Sequence, residues 1–139
     1  MEIRPFDLRD EEAVVQLWTV CGLVVPWNNP HRDIQRKLKV QADIFLVGCL
    51  GGKVIASVMA GYDGHRGWIN YLAVHPHHQR AGIAKQMMDE AEGHLRAAGC
   101  PKINLQVRST NAAVIEFYKR IGFNTDDVVS LGKRLEPDE

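Results

Sequence analysis

Three apolar runs follow one another between Ile44 and Val74, and their spacing constrains the fold more than any other feature of the chain. Ile44 to Leu50 is nearly continuous in apolar residues, and Gly51-Gly52 supplies a two-residue hairpin turn. A second run extends from Lys53 to Tyr62. The polar, glycine-rich Asp63-Gly64-His65-Arg66-Gly67 then turns the chain into a third, Trp68 to Val74. Runs this short, bounded by turn residues, read as strands of an antiparallel meander.

After Pro76 the period changes. Ala84, Met87, Met88, Ala91, Leu95 and Ala98 recur at three- and four-residue steps, which draws one face of a long helix. Gly99 ends it as a left-handed cap, with Pro101 just beyond. Ile103, Leu105 and Val107 alternate with polar residues and predict a strand with one buried face. Asn111 caps a further helix that reaches Ile121, where Gly122 stops it. Upstream of the meander, Met1 to Phe6 reads as a first strand. Asp10 caps a helix running to about Cys21, and Asn29-Pro30 opens a second, with Ile34, Leu38 and Ala42 on its buried stripe. Two short strands are expected in the tail, around Phe123 and over Val128 to Leu135. The order predicts an α/β (α+β) fold, a mixed sheet covered by helices.

The size of the chain, 139 residues, predicts one domain over 1–139. Lys plus Arg and Asp plus Glu number 17 each, so no cationic excess exists to hold nucleic acid. The longest apolar stretch, Leu17 to Trp27, is too short for a bilayer, which takes about 20 residues, so no membrane partner is expected. The first residues lack the apolar core of a signal peptide. Cys21, Cys49 and Cys100 are widely spaced and odd in number, which fits a reducing compartment, and the expected location is the cytoplasm.

The chemistry is concentrated in Val74-His75-Pro76-His77-His78-Gln79-Arg80-Ala81-Gly82-Ile83-Ala84-Lys85. A strand ends, a short loop follows, and a helix begins among small residues. The first amides of that helix lack intrahelical acceptors and carry the positive end of its dipole. Gly82 and Ala84 remove the bulk that would keep a phosphate away from them, so the segment can bind an anion through its backbone. A tightly packed helix start explains glycine and alanine equally well.

These residues resemble the GNAT superfamily of N-acetyltransferases. Gln79, Gly82 and Ala84 fit its acetyl-CoA motif of Gln or Arg, two residues, Gly, one residue, then Gly or Ala. Tyr71-Leu72-Ala73-Val74-His75-Pro76 is similar to the family's fourth strand and its exit. Asn111, Phe117-Tyr118 and Gly122-Phe123 match a later motif. Gly61 to Gly67 and Leu131 to Leu135 also resemble a bacterial subgroup, the YpeA-like proteins. The resemblance implies a mainly antiparallel central sheet of six to seven strands flanked by about four helices, with acetyl-CoA as co-substrate. It implies that Leu72, Ala73 and Val74 line the pantetheine arm. Gln79, Arg80, Ala81, Gly82, Ile83, Ala84 and Lys85 would hold the pyrophosphate, and Asn111 the pantetheine. Tyr118 would stand near the thioester sulfur as general acid. Asn111 and Tyr118 are seven residues apart and so share one helical face.

The acceptor side is less defined. A lysine-like amine, with a pKa of about 10.4, must lose a proton before it attacks. Where many family members carry a strand Glu, this chain has Trp68 and Asn70. Asp63, His65 or a water held by Asn70 are the candidate bases, and Trp27, in the loop between the first two helices, is either an acceptor lid or a buried aromatic. His75, His77 and His78 lack the spacing of a metal site, so no metal is expected. Arg32, Arg36, Lys37 and Lys39 read as a solvated helix face, with contact to an acidic substrate as the other reading. The partner is an amine acceptor, a small molecule or a protein amine, and a homodimer is compatible with the sequence. A non-catalytic acyl-CoA-binding sensor is the competing function.

Overall fold

The structure, a computed structural model, describes residues 1–138. Five strands form one sheet in the order β1 (Glu2–Pro5), β2 (Phe45–Leu50), β3 (Lys53–Tyr62), β4 (Gly67–Val74) and β5 (Ile103–Leu105). The pairs β1–β2, β2–β3 and β3–β4 are antiparallel, and β4–β5 is parallel. Four helices accompany them: α1 (Glu11–Val20), α2 (Pro30–Lys37), α3 (Ile83–Ala97) and α4 (Ala112–Arg120). The chain comprises two compact units, one of Met1–Leu105 with Asp138 and one containing Gln106–Pro137.

The meander forms as its spacing predicts. Gly51 and Gly52 both adopt positive φ, 57° and 79°, the twist that lets two strands close directly on each other. β2 alternates by the pleat. Phe45, Val47 and Cys49 join Val14, Leu17, Trp18 and Ile34 in the core beneath α1 and α2. The other sheet face, at Gly48, meets Met87 of α3: an added Cβ there would stand 3.1 Å from the Met87 sulfur. Met87, Met88, Ala91 and Leu95 are all buried, so the α3 stripe packs as its period indicates. Asn29 caps α2 by accepting the His31 and Arg32 amides, with Pro30 in the first turn.

Several expectations are corrected. The sheet has five strands, not six or seven, because none forms among the described residues after Leu105. Val128, Val129, Leu131 and Leu135 are 77–90% exposed, so the apolar pattern there buries no face. β5 covers three residues rather than the five that alternate, and all three are half-buried, without a clear inner face. Asp10 makes no capping bond to α1. Its carboxylate instead receives both terminal nitrogens of Arg4, at 2.7 and 2.9 Å, and the Asp7 amide. Lys37 is not on a solvated face: it is half-buried, donates to the Ala60 carbonyl, and has its pKa lowered by burial.

Candidate active site

β4 is the element around which the site is built. It pairs with β5 only over Gly67, Trp68 and Ile69, then runs on to Val74 with no β5 residue opposite. The five residues from Asn70 to Val74 thus have no strand partner on the β5 side. On the β3 side the register slips by one: Ser57 faces Ala73 while Met59 faces Asn70. Tyr71 and Leu72 therefore oppose Val58 alone, which is a β-bulge. Tyr71 takes a left-handed backbone, φ 52°, unusual for an aromatic residue.

The bulge is secured by buried polar contacts. Ser57, with no exposed surface, donates its hydroxyl to the Tyr71 carbonyl at 2.8 Å. The Trp18 indole N–H donates to the same Ser57 oxygen at 2.9 Å. The Tyr71 ring stacks on Trp18 with centroids 3.8 Å apart, and its hydroxyl donates to Asp33 of α2 at 2.6 Å. Burial and the Asp33 carboxylate together raise the Tyr71 pKa far above its ordinary value, so the phenol stays protonated. Sequence reasoning missed Ser57, Asp33 and the bulge itself. The one available signal was Ser57, a lone hydroxyl inside the apolar run Ile55 to Ala60.

Beyond Val74 the chain makes one short helical turn, Pro76–His78, before α3. The Gln79 side chain reaches back to donate to the Val74 carbonyl at 3.1 Å, and the Cys21 thiol donates to that oxygen at 3.3 Å. Arg80 and Gly82 both lie in the left-handed region, φ 64° and 77°. Alternation of this kind curls successive amides around a concave space suited to an anion. Gly82 is the N-cap of α3 and offers no side chain, so the amides of Ile83, Ala84 and Lys85 receive no cap from it. Nothing lies within 4 Å of a Cβ built on Gly82, so the cradle is open. The Lys85 ammonium pairs with Asp89 at 2.8 Å along the helix.

Leu72, Ala73, Val74 and Gln79 through Lys85 are thus contiguous in the first unit. Asn111 and Tyr118 belong to the second, on α4. Asn111 caps α4 by accepting the Val114 amide. Tyr118 is buried, makes edge contacts with Phe117 and Phe123, and has its pKa pushed up to about 12 by burial. Asp63 lies in the β3–β4 turn. Its carboxylate accepts the Arg66 and His65 amides and the Trp68 indole N–H, bonds that hold its pKa below the ordinary carboxylate value. Asn70 and His65 are exposed, and Trp27, at 54% exposure, is not a core residue. Among the described residues no group of three or more His, Cys, Asp or Glu side chains is placed to hold a metal ion. No helix among them is long and apolar enough to cross a membrane.

In this mixed sheet β4, bulged at Tyr71 and Leu72 and unpaired with β5 beyond Ile69, leads through a short turn to the uncapped start of α3. The chain belongs to the acetyltransferase (GNAT) family, whose model matches residues 11–123. It is 50% identical over 138 residues to an acetyltransferase of Pectobacterium atrosepticum, covering 99% of this chain and 98% of that one. Its fold is similar to that of aminoglycoside antibiotic 6'-N-acetyltransferase AAC(6')-IG from Acinetobacter haemolyticus, with a TM-score of 0.75 at 19% identity, covering 98% of this chain and 100% of that chain. It is also similar to AAC(6')-Iy in complex with the bisubstrate analogue CoA-S-monomethyl-acetylneamine. There the TM-score is 0.77 at 17% identity, with 96% and 97% of the two chains covered. The protein is therefore an acetyltransferase with a mixed α/β fold.

Proposed function

We propose that the protein moves an acetyl group from acetyl-CoA to a primary amine by direct attack in a ternary complex. The observation that carries this reading is the open edge of β4 from Asn70 to Val74, which runs from the bulge towards the uncapped start of α3. An extended pantetheine arm can lie along such an edge as an added strand, with its pyrophosphate on the amides of residues 79–85.

The acceptor nitrogen, once neutral, attacks the thioester carbon. The carbonyl oxygen gains charge, which a backbone N–H near Leu72 stabilises. The carbon–sulfur bond then breaks, the leaving thiolate takes a proton from the Tyr118 hydroxyl, and the proton that the acylated nitrogen sheds restores the phenol through water. Burial pushes the Tyr118 pKa up to about 12, so the hydroxyl is protonated and available as a donor at neutral pH. We assign deprotonation of the amine to a water relay near Asn70. Asp63 is a poor base, since three donors already stabilise its charge. The absence of a strand acid also supports the second reading, a sensor that binds acyl-CoA without turnover.

One experiment separates these. Calorimetric titration with acetyl-CoA, followed by an amine-library screen with thiol detection of released CoA, should show binding and amine-dependent release. Binding without release by any amine would favour the sensor, and no binding would remove both.

A further inference from the structure

The bulge depends on a residue outside the sheet. Left-handed backbone at a bulky residue persists only where its surroundings over-determine it. Ser57 fixes the Tyr71 carbonyl and Trp18 the ring face, but neither fixes the hydroxyl end of the side chain. That end is held by Asp33 of α2, at 2.6 Å. Asp33 is itself braced. The Arg36 guanidinium lies 3.2 Å from its other carboxylate oxygen. Arg36 in turn binds both oxygens of Asp138, at 2.7 and 3.3 Å, and the fully buried Asp138 carboxylate also accepts the Asn29 amide at 2.9 Å. Asp33 is thus a half-buried carboxylate with a hydrogen bond on each oxygen.

We propose that Asp33 is a positioning residue for acetyl transfer, acting through the Tyr71 hydroxyl to hold the β4 bulge and thereby the Leu72 amide beside it. The role of that amide rests on the acetyl-CoA reading above; the support of the bulge does not. Asp33 makes no contact with the reacting atoms in this scheme. Its effect is on the direction of one N–H, which must point at an oxyanion to be of use.

The test uses the full chain as Asp33→Ala, Asp33→Asn and Tyr71→Phe, each checked for folding by circular dichroism. Without ligand, the amide-to-Hα coupling at residue 71 and the exchange rate of the Leu72 amide are read by NMR. Asp33→Ala and Tyr71→Phe should each shift the coupling away from left-handed backbone and speed Leu72 exchange by about tenfold, the scale of one hydrogen bond. The double variant should go no further than either single one, because both remove the same bond. Asp33→Asn, which keeps an acceptor, should lie between. With ligand, these variants should bind CoA as the parent does but lose about tenfold of any preference for acetyl-CoA over CoA. Unchanged coupling and exchange in Tyr71→Phe would overturn the proposal. Failure of the parent to bind either ligand would instead overturn the acetyl-CoA reading and leave the ligand-free result to decide the role of Asp33.

Discussion

Ser57 of β3 reaches diagonally across the slipped register to Tyr71 of β4, joined hydroxyl to carbonyl at 2.8 Å. Because Trp18 donates to the same hydroxyl, one buried oxygen satisfies a helix side chain and a strand backbone together. The site and the core therefore share an atom.

Ser57→Ala should leave the Trp18 N–H and the Tyr71 carbonyl without partners. Each unsatisfied buried group costs roughly 1–3 kcal/mol, so a total loss of about 2–6 kcal/mol is expected. Urea denaturation with an unchanged slope checks this. A loss near zero would mean that the bulge relaxes to find other donors.

Gly82→Glu should weaken acetyl-CoA binding by more than about tenfold, since it puts a negative charge at the positive end of α3. Gly82→Asn is the control, because asparagine tolerates the left-handed backbone that the φ of 77° requires. Calorimetry should find the Asn variant close to the parent. Equal weakening in both would assign the effect to strain rather than charge.

How far the sequence specified this arrangement depends on the kind of interaction. The hairpin at Gly51-Gly52, the cap at Asn29 and the α3 stripe are local, and residue type reveals them directly. The uncapped start of α3 was legible for the same reason, since its left-handed N-cap falls on Gly82. The bulge was not, because its left-handed residue is a tyrosine, whose conformation is imposed by Ser57, Trp18 and Asp33 from 14, 53 and 38 positions away. Asp10 misled for a related reason. A carboxylate before a helix suggests a cap, but Arg4 offers it a two-nitrogen fork. The tail strands failed because alternation marks a strand only where its apolar face is buried, and Val128, Val129, Leu131 and Leu135 stay exposed.

Tyr118→Phe should lower kcat by roughly a hundredfold or more while acetyl-CoA affinity changes little, as the ring remains. With its pKa pushed up to about 12, Tyr118 stays in its acid form through neutral and mildly alkaline pH. The parent should therefore show no loss of kcat up to about pH 10 from this group. Stopped-flow turnover of the two proteins against pH is the measurement. An alkaline fall near pH 8 that vanishes in the Phe variant would contradict it.

Activity profiles should also separate the acceptor-side residues. Asp63→Asn and His65→Gln should leave the pH dependence of kcat/KM unshifted, and Asn70→Ala should depress it only modestly. A clear shift in the Asp63 variant would restore that carboxylate as the base.

The Arg4–Asp10 pair should govern acid stability. The guanidinium holds the Asp10 carboxyl below its ordinary pKa, so the folded state binds this proton less readily than the unfolded one. The stabilisation is complete above the ordinary carboxylate pKa of about 3.9 and is lost as pH falls through the lower folded value. Asp10→Asn should be less stable at pH 7 and lose less between pH 5 and pH 2. Parallel thermal-melting curves for the two proteins over that range would contradict it.

The clasp on Asp138 has a consequence in time. Its partner Arg36 precedes it by 102 residues, so α2 is made long before the carboxylate that secures it exists. At about 5–20 residues per second, a ribosome takes roughly 5–20 s to cover that distance. Through that interval the meander can close and Trp18 can find Ser57, while the Arg36 side chain waits without its second carboxylate. The last support of the bulge is thus acquired 102 residues after Arg36 is made, which orders assembly so that the sheet is in place before its outer brace is drawn tight.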